Sequence, residues 1–236
     1  MKRLIAAFLL ATFSLNASAL SVLLNGSHPD RGVGGRLESL GHTVTASYAN
    51  TWDSNWDYSA YDVVAFQYGS QNPADIANLL TAVQNEEVGV VFFRGSGAEL
   101  TAAALGVNYG LMDWQYANTM NIIDNSHYIT QGIDLGVYDL GQTYMSEYYG
   151  PGPDTTVLAT GADGAGLLVH NDYRIAMSHY YGHESGYDLE TEFSMELTER
   201  TLQWAAGAAV VPIPAAAWLF GSALMGLGWV RRKQTV

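Results

Sequence analysis

The sequence predicts a three-layer α/β domain with a mostly parallel sheet between helices, followed by a C-terminal transmembrane helix. Three observations predict this organisation. Short apolar runs of strand length alternate with helical patterns through most of the chain. The first 19 residues have the layout of a signal peptide, and residues 204–230 contain no charged side chain. We therefore divide the chain into a signal peptide at 1–19, an extracytoplasmic domain at 20–207 and a C-terminal segment at 208–236.

The first half of the domain alternates strand and helix patterns. Apolar runs rich in valine and phenylalanine predict strands at 20–26, 42–49, 61–69 and 88–97. Helical patterns lie between them at 31–41 and 72–87. In the second of these, Asn72 is a candidate cap, Pro73 takes the first helical position, and one face carries Ile76, Leu79, Leu80 and Val83. Strand and helix in turn predict parallel pairing.

The second half has a looser pattern. Candidate strands lie at 118–124, 136–141, 155–161, 165–171 and 174–182. A final helix is predicted at 194–207, with Met195, Leu197, Leu202 and Trp204 as core contacts. The domain of about 190 residues is long enough for one packed core.

The N-terminus carries an export signal. Lys2 and Arg3 precede an apolar stretch at 4–15, and small residues follow at Ala17 and Ala19. This layout predicts a secretory signal peptide cleaved after Ala19, so that the mature chain begins at Leu20. We expect signal peptidase and the general secretion machinery to act on the chain.

The C-terminus carries a predicted membrane segment. An apolar helix is expected at about 215–230, and a basic stop of Arg231, Arg232 and Lys233 follows it. The positive-inside rule then places the body outside the cytoplasm and the C-terminus inside. The alternative is a buried hydrophobic C-terminal helix, which the basic stop disfavours.

The start of this tail has a specific motif, formed by Val211, Pro212, Ile213, Pro214 and Ala215. The motif, apolar helix and basic end together resemble the PEP-CTERM class of sorting signals, in the variant that begins Val-Pro-Leu-Pro-Ala. The resemblance implies a Gram-negative bacterium and recognition by an exosortase, a membrane-embedded cysteine protease-like transpeptidase. It also implies transient anchoring in the inner membrane, cleavage near the motif, transfer to the cell surface or medium, and association with exopolysaccharide and biofilm.

The composition limits the possible partners. All 23 acidic residues but only five of the ten basic residues lie at 20–210, which gives this part a net charge of −18 without any lysine. Such a surface repels nucleic acid and anionic polymers, although it could collect divalent cations. The chain has no cysteine, so it has neither a disulfide framework nor a thiol nucleophile.

Several phrases of the domain resemble the class I glutamine amidotransferase-like superfamily, in particular its ThuA-like branch. They are SVLLNGSHPD, VGVVFFRGSG, HYITQGID with Tyr128 in place of a proline, TTVLATG and RIAMSHYYGHE. The resemblance implies a flavodoxin-like fold. An amidotransferase has a cysteine on the turn after the central strand, but here that turn reads Arg94-Gly95-Ser96-Gly97. Glutamine hydrolysis by the cysteine mechanism is therefore excluded.

Two kinds of catalytic or metal site are open on the sequence. Ser96 could act as a nucleophile with a base and an acid from His179, His183 and Glu184, but a Gly-Ser-Gly turn is also a common strand-to-helix junction capped by serine. Metal ligands could come from His28, Asp30, His127, His179, His183 and Glu184. Hydrogen-bonded surface histidines are the simpler interpretation, so we predict no metal and no cofactor.

Aromatic residues in polar stretches suggest glycan binding instead. Tryptophan and tyrosine pair an apolar ring with a polar group, which suits a sugar face and its hydroxyls. The candidates are Trp52, Trp56, Tyr58, Trp114, Tyr116, Tyr144, Tyr148 and Tyr149. The alternative is that about half of these rings fill the core.

The crevice at the carboxyl ends of the strands is the predicted ligand site. We expect Arg94, His28 and Asp30 to line it. Arg94 is one of five cations in the domain, so it should pair either with a carboxylate such as Asp30 or Glu99, or with a ligand. Two functions remain: a non-catalytic, ligand-binding surface or matrix protein, which we favour, and a secreted hydrolase or carbohydrate-acting enzyme.

Overall fold

The computed structural model describes residues 19–25, 32–47, 56–67, 73–93, 99–107, 113–147, 151–162, 164–178 and 191–207. These ranges contain nine strands, four α-helices and one short 3-10 helix. The strands are β1 (Ser21–Asn25), β2 (Thr43–Ser47), β3 (Val63–Phe66), β4 (Gly89–Phe92), β5 (Asp113–Ile122), β6 (Gly136–Glu147), β7 (Thr155–Thr160), β8 (Ala165–His170) and β9 (Ile175–Met177). The helices are α1 (Gly32–Ser39), α2 (Pro73–Gln84), α3 (Glu99–Ala104) and α4 (Glu192–Ala205), and the 3-10 helix is Tyr58–Ala60.

The strands form one mixed sheet in the order β2-β1-β3-β4-β9-β8-β7-β5-β6. The first five strands of this order pair in parallel, whereas the strands from β9 to β6 pair antiparallel. The prediction of a mostly parallel sheet is therefore correct only for half of it. The physical reason is local, because the four residues 161–164 that join β7 to β8 are too few for a parallel crossover.

Helices cover both faces of the parallel half. On one face, Val22 and Leu24 of β1 belong to a core cluster with Leu37 of α1 and Leu202 of α4. On the other face, Leu23 belongs to a second cluster, which contains Leu79 and Val83 of α2 and Ala102 of α3. Successive residues of a strand point to opposite faces, so a strand buried on both sides must be apolar throughout. The predicted three-layer arrangement is confirmed here.

The last helix is held closely against the sheet. Thr191 caps its first turn by accepting a hydrogen bond from the Ser194 backbone N–H at 3.2 Å. At its other end a Cβ atom on Gly89, the first residue of β4, would lie 1.9 Å from the Ala205 carbonyl oxygen. Only glycine allows this approach without movement of the helix. Of the predicted core contacts of the helix, Leu197 and Leu202 are fully buried.

The predicted terminal signals lie outside the described residues, as do the sorting motif and the basic stop. Within the described ranges we find no helix with both the length and the apolar character needed to cross a bilayer. The signal peptide at 1–19 and the membrane helix at 215–230 stay predictions.

Candidate ligand-binding crevice

The carboxyl ends of the five parallel strands form an aligned row of side chains. The register pairs Asn25 with Ser47 on one side and with Phe66 on the other, and the row continues through Phe92 to Met177. Paired residues of parallel strands point to the same face, here the face covered by α2 and α3. Phe66 and Phe92 stack with ring centroids 5.0 Å apart and planes 17° apart. A polar pair therefore lies beside an aromatic wall.

Asn25 is the unusual member of this row. Its side chain is completely buried, and neither Oδ1 nor Nδ2 has a hydrogen-bond partner. A buried polar group without a partner costs about 1–3 kcal/mol, so most folded proteins avoid it. Asn25 ends β1, and the chain places β2 on one side of β1 and β3 on the other. This is the switch point at which open α/β sheets bind their ligands.

The residues just past the row extend the polar character to the other face. The Gln67 backbone N–H donates to the Asn25 carbonyl at 2.9 Å, and the Ser178 N–H donates to the Phe92 carbonyl at 2.8 Å. The side chains of Gln67 and Ser178 are fully buried. Buried polar residues thus surround the ends of β1, β3 and β9, although the strands themselves are apolar.

Most of the predicted site residues lie outside the described ranges. They are His28, Asp30, Trp52, Arg94, Ser96, His179, His183 and Glu184. In the sequence Arg94 directly follows Phe93, and His179 directly follows Ser178, at the ends of β4 and β9. The expected pairing of Arg94 with Asp30 or Glu99 is not tested, and the roles of all these residues stay predictions.

Two of the predicted aromatic residues take part in packing. Tyr58 is buried in the core under α2, and its hydroxyl donates to Asp75 Oδ1 at 2.9 Å. Burial raises the pKa of Tyr58 well above its usual range, and the charge and hydrogen bond of Asp75 raise it further. Trp56 is partly buried against the same cluster and meets Tyr61 edge to face at 6.2 Å. The alternative that some of the rings fill the core is correct for Tyr58.

The remaining described aromatic positions lie in the β5–β6 ladder. The register pairs Trp114 with Ser146 and Tyr116 with Tyr144. These positions belong to the antiparallel half of the sheet, apart from the row that contains Asn25. A role for Trp114 in ligand binding stays a prediction.

The segment HYITQGID lies at the opposite end of the sheet. It belongs to the connection between β5 and β6, where the His127 ring meets Trp204 of α4 at 5.2 Å. Burial lowers the pKa of His127, and the charge of Asp124 opposes this effect. Ile129 and Thr130 are fully buried. The segment therefore fastens the hairpin to α4, which is a structural role.

The metal hypothesis gains no support from the described part of the chain. Within it, no three histidine or carboxylate side chains lie close enough together to hold a metal ion. His127, the one described candidate ligand, packs against Trp204 instead. The other candidates lie outside the described residues.

Sequence reasoning missed Asn25, Gln67 and Ser178. Each directly follows an apolar strand run, in LLN, VAFQ and IAMS. A polar residue at the last buried position of a parallel strand was the available signal, because it must face the switch-point edge. Whether such a side chain has a partner depends on its neighbours in space, which the sequence does not state.

Comparison with known proteins supports the fold. No model of a protein family matches the chain, and no curated protein sequence matches it. Solved structures do match. A ThuA-like protein of Bacteroides uniformis has a TM-score of 0.59 at 12% identity, over 78% of this chain and 89% of that chain.

Two further structures agree with this result. A GMP synthase protein of Thermoplasma acidophilum has a TM-score of 0.53 at 12% identity, over 81% of this chain and 96% of that one. A cytoplasmic protein of Salmonella typhimurium has a TM-score of 0.54 at 15% identity, over 79% and 98%. The body has a mixed α/β fold like that of ThuA-like proteins. At these identities the likeness concerns the fold alone.

Proposed function

We propose that the chain is an exported protein of the cell surface or extracellular matrix, whose α/β domain binds a neutral glycan in the crevice without catalysing a reaction on it. The signal peptide and the PEP-CTERM-like tail support export and exosortase sorting. The observation that carries the binding proposal is Asn25, a completely buried amide with two unpartnered polar atoms at the switch point.

The chemistry of the row favours a sugar. An asparagine amide offers donors and an acceptor side by side, and a pair of neighbouring sugar hydroxyls can bond to both. The apolar face of the same sugar ring suits the adjoining Phe66 and Phe92 wall. A net charge of −18 at 20–210 repels anionic polysaccharides, so the proposed ligand is neutral.

Binding at Asn25 requires the strand ends to open, because the side chain is completely covered. We therefore expect association to be slower than about 10⁵ M⁻¹ s⁻¹, the lower end of the usual range for binding without rearrangement. This expectation is measurable by stopped-flow fluorescence once a ligand is known.

The direct test is a glycan array probed with the full chain in mild detergent. We expect binding to one or more neutral glycans, at least ten times weaker for Asn25→Leu. Thr198→Val is the matched control, because Thr198 on α4 is also buried with an unpartnered hydroxyl. It should bind like the wild type. Equal binding by wild type and Asn25→Leu, or no binding to any glycan, would contradict the proposal.

The competing hydrolase hypothesis has a separate readout. A panel of ester and glycoside substrates should show no turnover if the domain only binds. Turnover that Ser96→Ala or His179→Ala abolishes would replace the binding proposal with the enzyme. The intact mass of the surface form tests sorting, since persistence of Arg231, Arg232 and Lys233 there would leave a simple membrane anchor.

A further inference from the structure

We infer that the domain contains a binding site for its own processed N-terminal ammonium group, formed by His42 and Glu199. The inference rests on the proposed export, because this group forms only when the signal peptide is removed after Ala19. Hydrolysis of the Ala19–Leu20 peptide bond consumes one water. It leaves a carboxylate on Ala19 and an α-amino group on Leu20, which is largely protonated at neutral pH.

The predicted cleavage site coincides with the edge of the folded domain. Ala19 is exposed, whereas Leu20 is only 4% exposed and directly precedes β1. The Leu20 carbonyl accepts a hydrogen bond from the Thr43 backbone N–H at 2.8 Å, which continues the ladder toward β2. The nitrogen of Leu20 is therefore held in a fixed place at the amino end of the sheet.

That nitrogen already has a partner. Leu20 N donates to His42 Nδ1 at 3.2 Å, and His42 Nε2 lies 2.8 Å from Glu199 Oε2 on α4. The His42 side chain is only 1% exposed. Because Nδ1 accepts a hydrogen bond, the ring proton is on Nε2 and is donated to Glu199. The imidazole thus connects the Leu20 nitrogen to a carboxylate.

The charges around Glu199 favour an ammonium over an amide at Leu20. The Glu199 side chain is 19% exposed, and within the described residues no arginine forms a salt bridge with it. The adjacent Arg200 pairs with Glu196 and with the Gln131 carbonyl instead. Gln203, a neutral group, donates to the other carboxylate oxygen at 2.7 Å.

A positive charge on Leu20 would therefore give Glu199 its missing counter-charge across the imidazole. Attraction between opposite charges in a partly desolvated site is stronger than at an exposed surface. The consequence is that signal-peptide removal tightens the junction of β1, β2 and α4, so the exported form is more stable than a form extended at Leu20.

The test compares full chains exported from a bacterial host and purified in mild detergent. One has the natural cleavage site and the other has Gly-Ser inserted between Ala19 and Leu20, which moves the ammonium out of the site. We expect the intact mass to place the natural N-terminus at Leu20. We expect the insertion to lower Tm by about 3 °C or more.

A double-mutant cycle separates docking from a general effect of the extension. In Glu199→Gln the insertion should change Tm by less than about 1 °C, because the partner charge is already gone. Glu196→Gln is the matched control on the same helix. Its carboxylate is about half exposed and pairs with Arg200, so the insertion should keep its full effect.

The outcomes distinguish this inference from the proposed function. A natural N-terminus other than Leu20 overturns the inference. An N-terminus at Leu20 with an unchanged Tm on insertion, or with equal losses in Glu199→Gln, also overturns it and leaves export standing. Glycan binding by the same preparations is measured separately and depends on Asn25, at the other end of β1.

Discussion

The two ends of the parallel strands differ in how their polar groups are satisfied. At the amino end, hydrogen bonds link Thr43 to Leu20, Asp62 to Ser21, and Val90 to Arg174, and each of these backbone donors lies within 2.8 Å of its acceptor. At the carboxyl end, Asn25 is buried without a partner for either amide atom. One end is closed for stability, and the other carries a cost that folding alone does not explain. Such local inconsistency is expected at functional sites.

The closed end also contains the segment whose sequence resembles a family motif. HYITQGID packs against Trp204 through His127, so its likeness to the ThuA-like branch reflects a shared way of fastening the hairpin. The candidate site lies at the opposite end, where the distinctive amidotransferase cysteine is missing. The resemblance therefore supports the fold here and carries little information about function.

The largest expected effect concerns the closed end. Gly89→Ala places a Cβ atom 1.9 Å from the Ala205 carbonyl oxygen, so α4 must move away from β4. We expect a loss of about 3 kcal/mol or more in the free energy of unfolding, measured by urea denaturation. Gly132→Ala is the control, because Gly132 has φ +80° and open space around it. It should cost only about 1 kcal/mol. Similar losses in both variants would show that the contact is not needed.

The next effect concerns a buried polar group that is satisfied. Tyr58→Phe removes the hydrogen bond to Asp75 and should cost about 1.5–3 kcal/mol, since the acceptor is a carboxylate. The pKa of Tyr58 is raised in the folded state, so its contribution is complete below the ordinary value of 10.0 and falls as the pH rises above it. The stability difference between wild type and variant should therefore shrink between pH 9 and 11. A constant difference across that range would contradict the assignment.

The parts of this comparison that the sequence predicts are those fixed by burial. VVAF and GVVF are apolar at each position because helices cover both faces, and both strands lie within the predicted 61–69 and 88–97. β5 and β6 extend well beyond the predicted 118–124 and 136–141. Their added residues are polar or aromatic, as in DWQY, and β6 is an edge strand, so no continuous apolar run marks them.

The candidate site was predictable only in its place. Strand and helix alternation predicts a crevice at the carboxyl ends, and the aromatic pattern suggested residues for it. Tyr58 shows why the second step fails, because a tyrosine in a polar stretch can equally turn inward and bond to Asp75. Asn25 escaped notice because an orphaned amide is defined by what surrounds it in space.

A smaller effect of opposite sign is expected at the open end. Asn25→Leu replaces an unpartnered buried amide with an apolar group of similar size, so the free energy of unfolding should rise by about 1 kcal/mol. Urea denaturation of both proteins measures it. A gain in stability with a loss of glycan binding is the expected combination for a functional residue. A clear loss of stability would mean that the amide has a structural role in the folded domain.

The smallest effect is expected at the edge of the antiparallel half, where burial no longer constrains the sequence. Val137 on β6 is 68% exposed, and it pairs with Asn121 of β5. Val137→Thr keeps the β-branched shape that strands favour and adds only a hydroxyl that water can solvate. We expect the free energy of unfolding to change by less than about 0.5 kcal/mol in urea denaturation. Val91→Thr is the matched control, because Val91 is completely buried in β4 and its new hydroxyl would lack water. It should cost about 1–3 kcal/mol. A loss at Val137 as large as at Val91 would show that another surface covers this edge, and size-exclusion chromatography of both variants would then reveal whether the loss accompanies a change in oligomeric state.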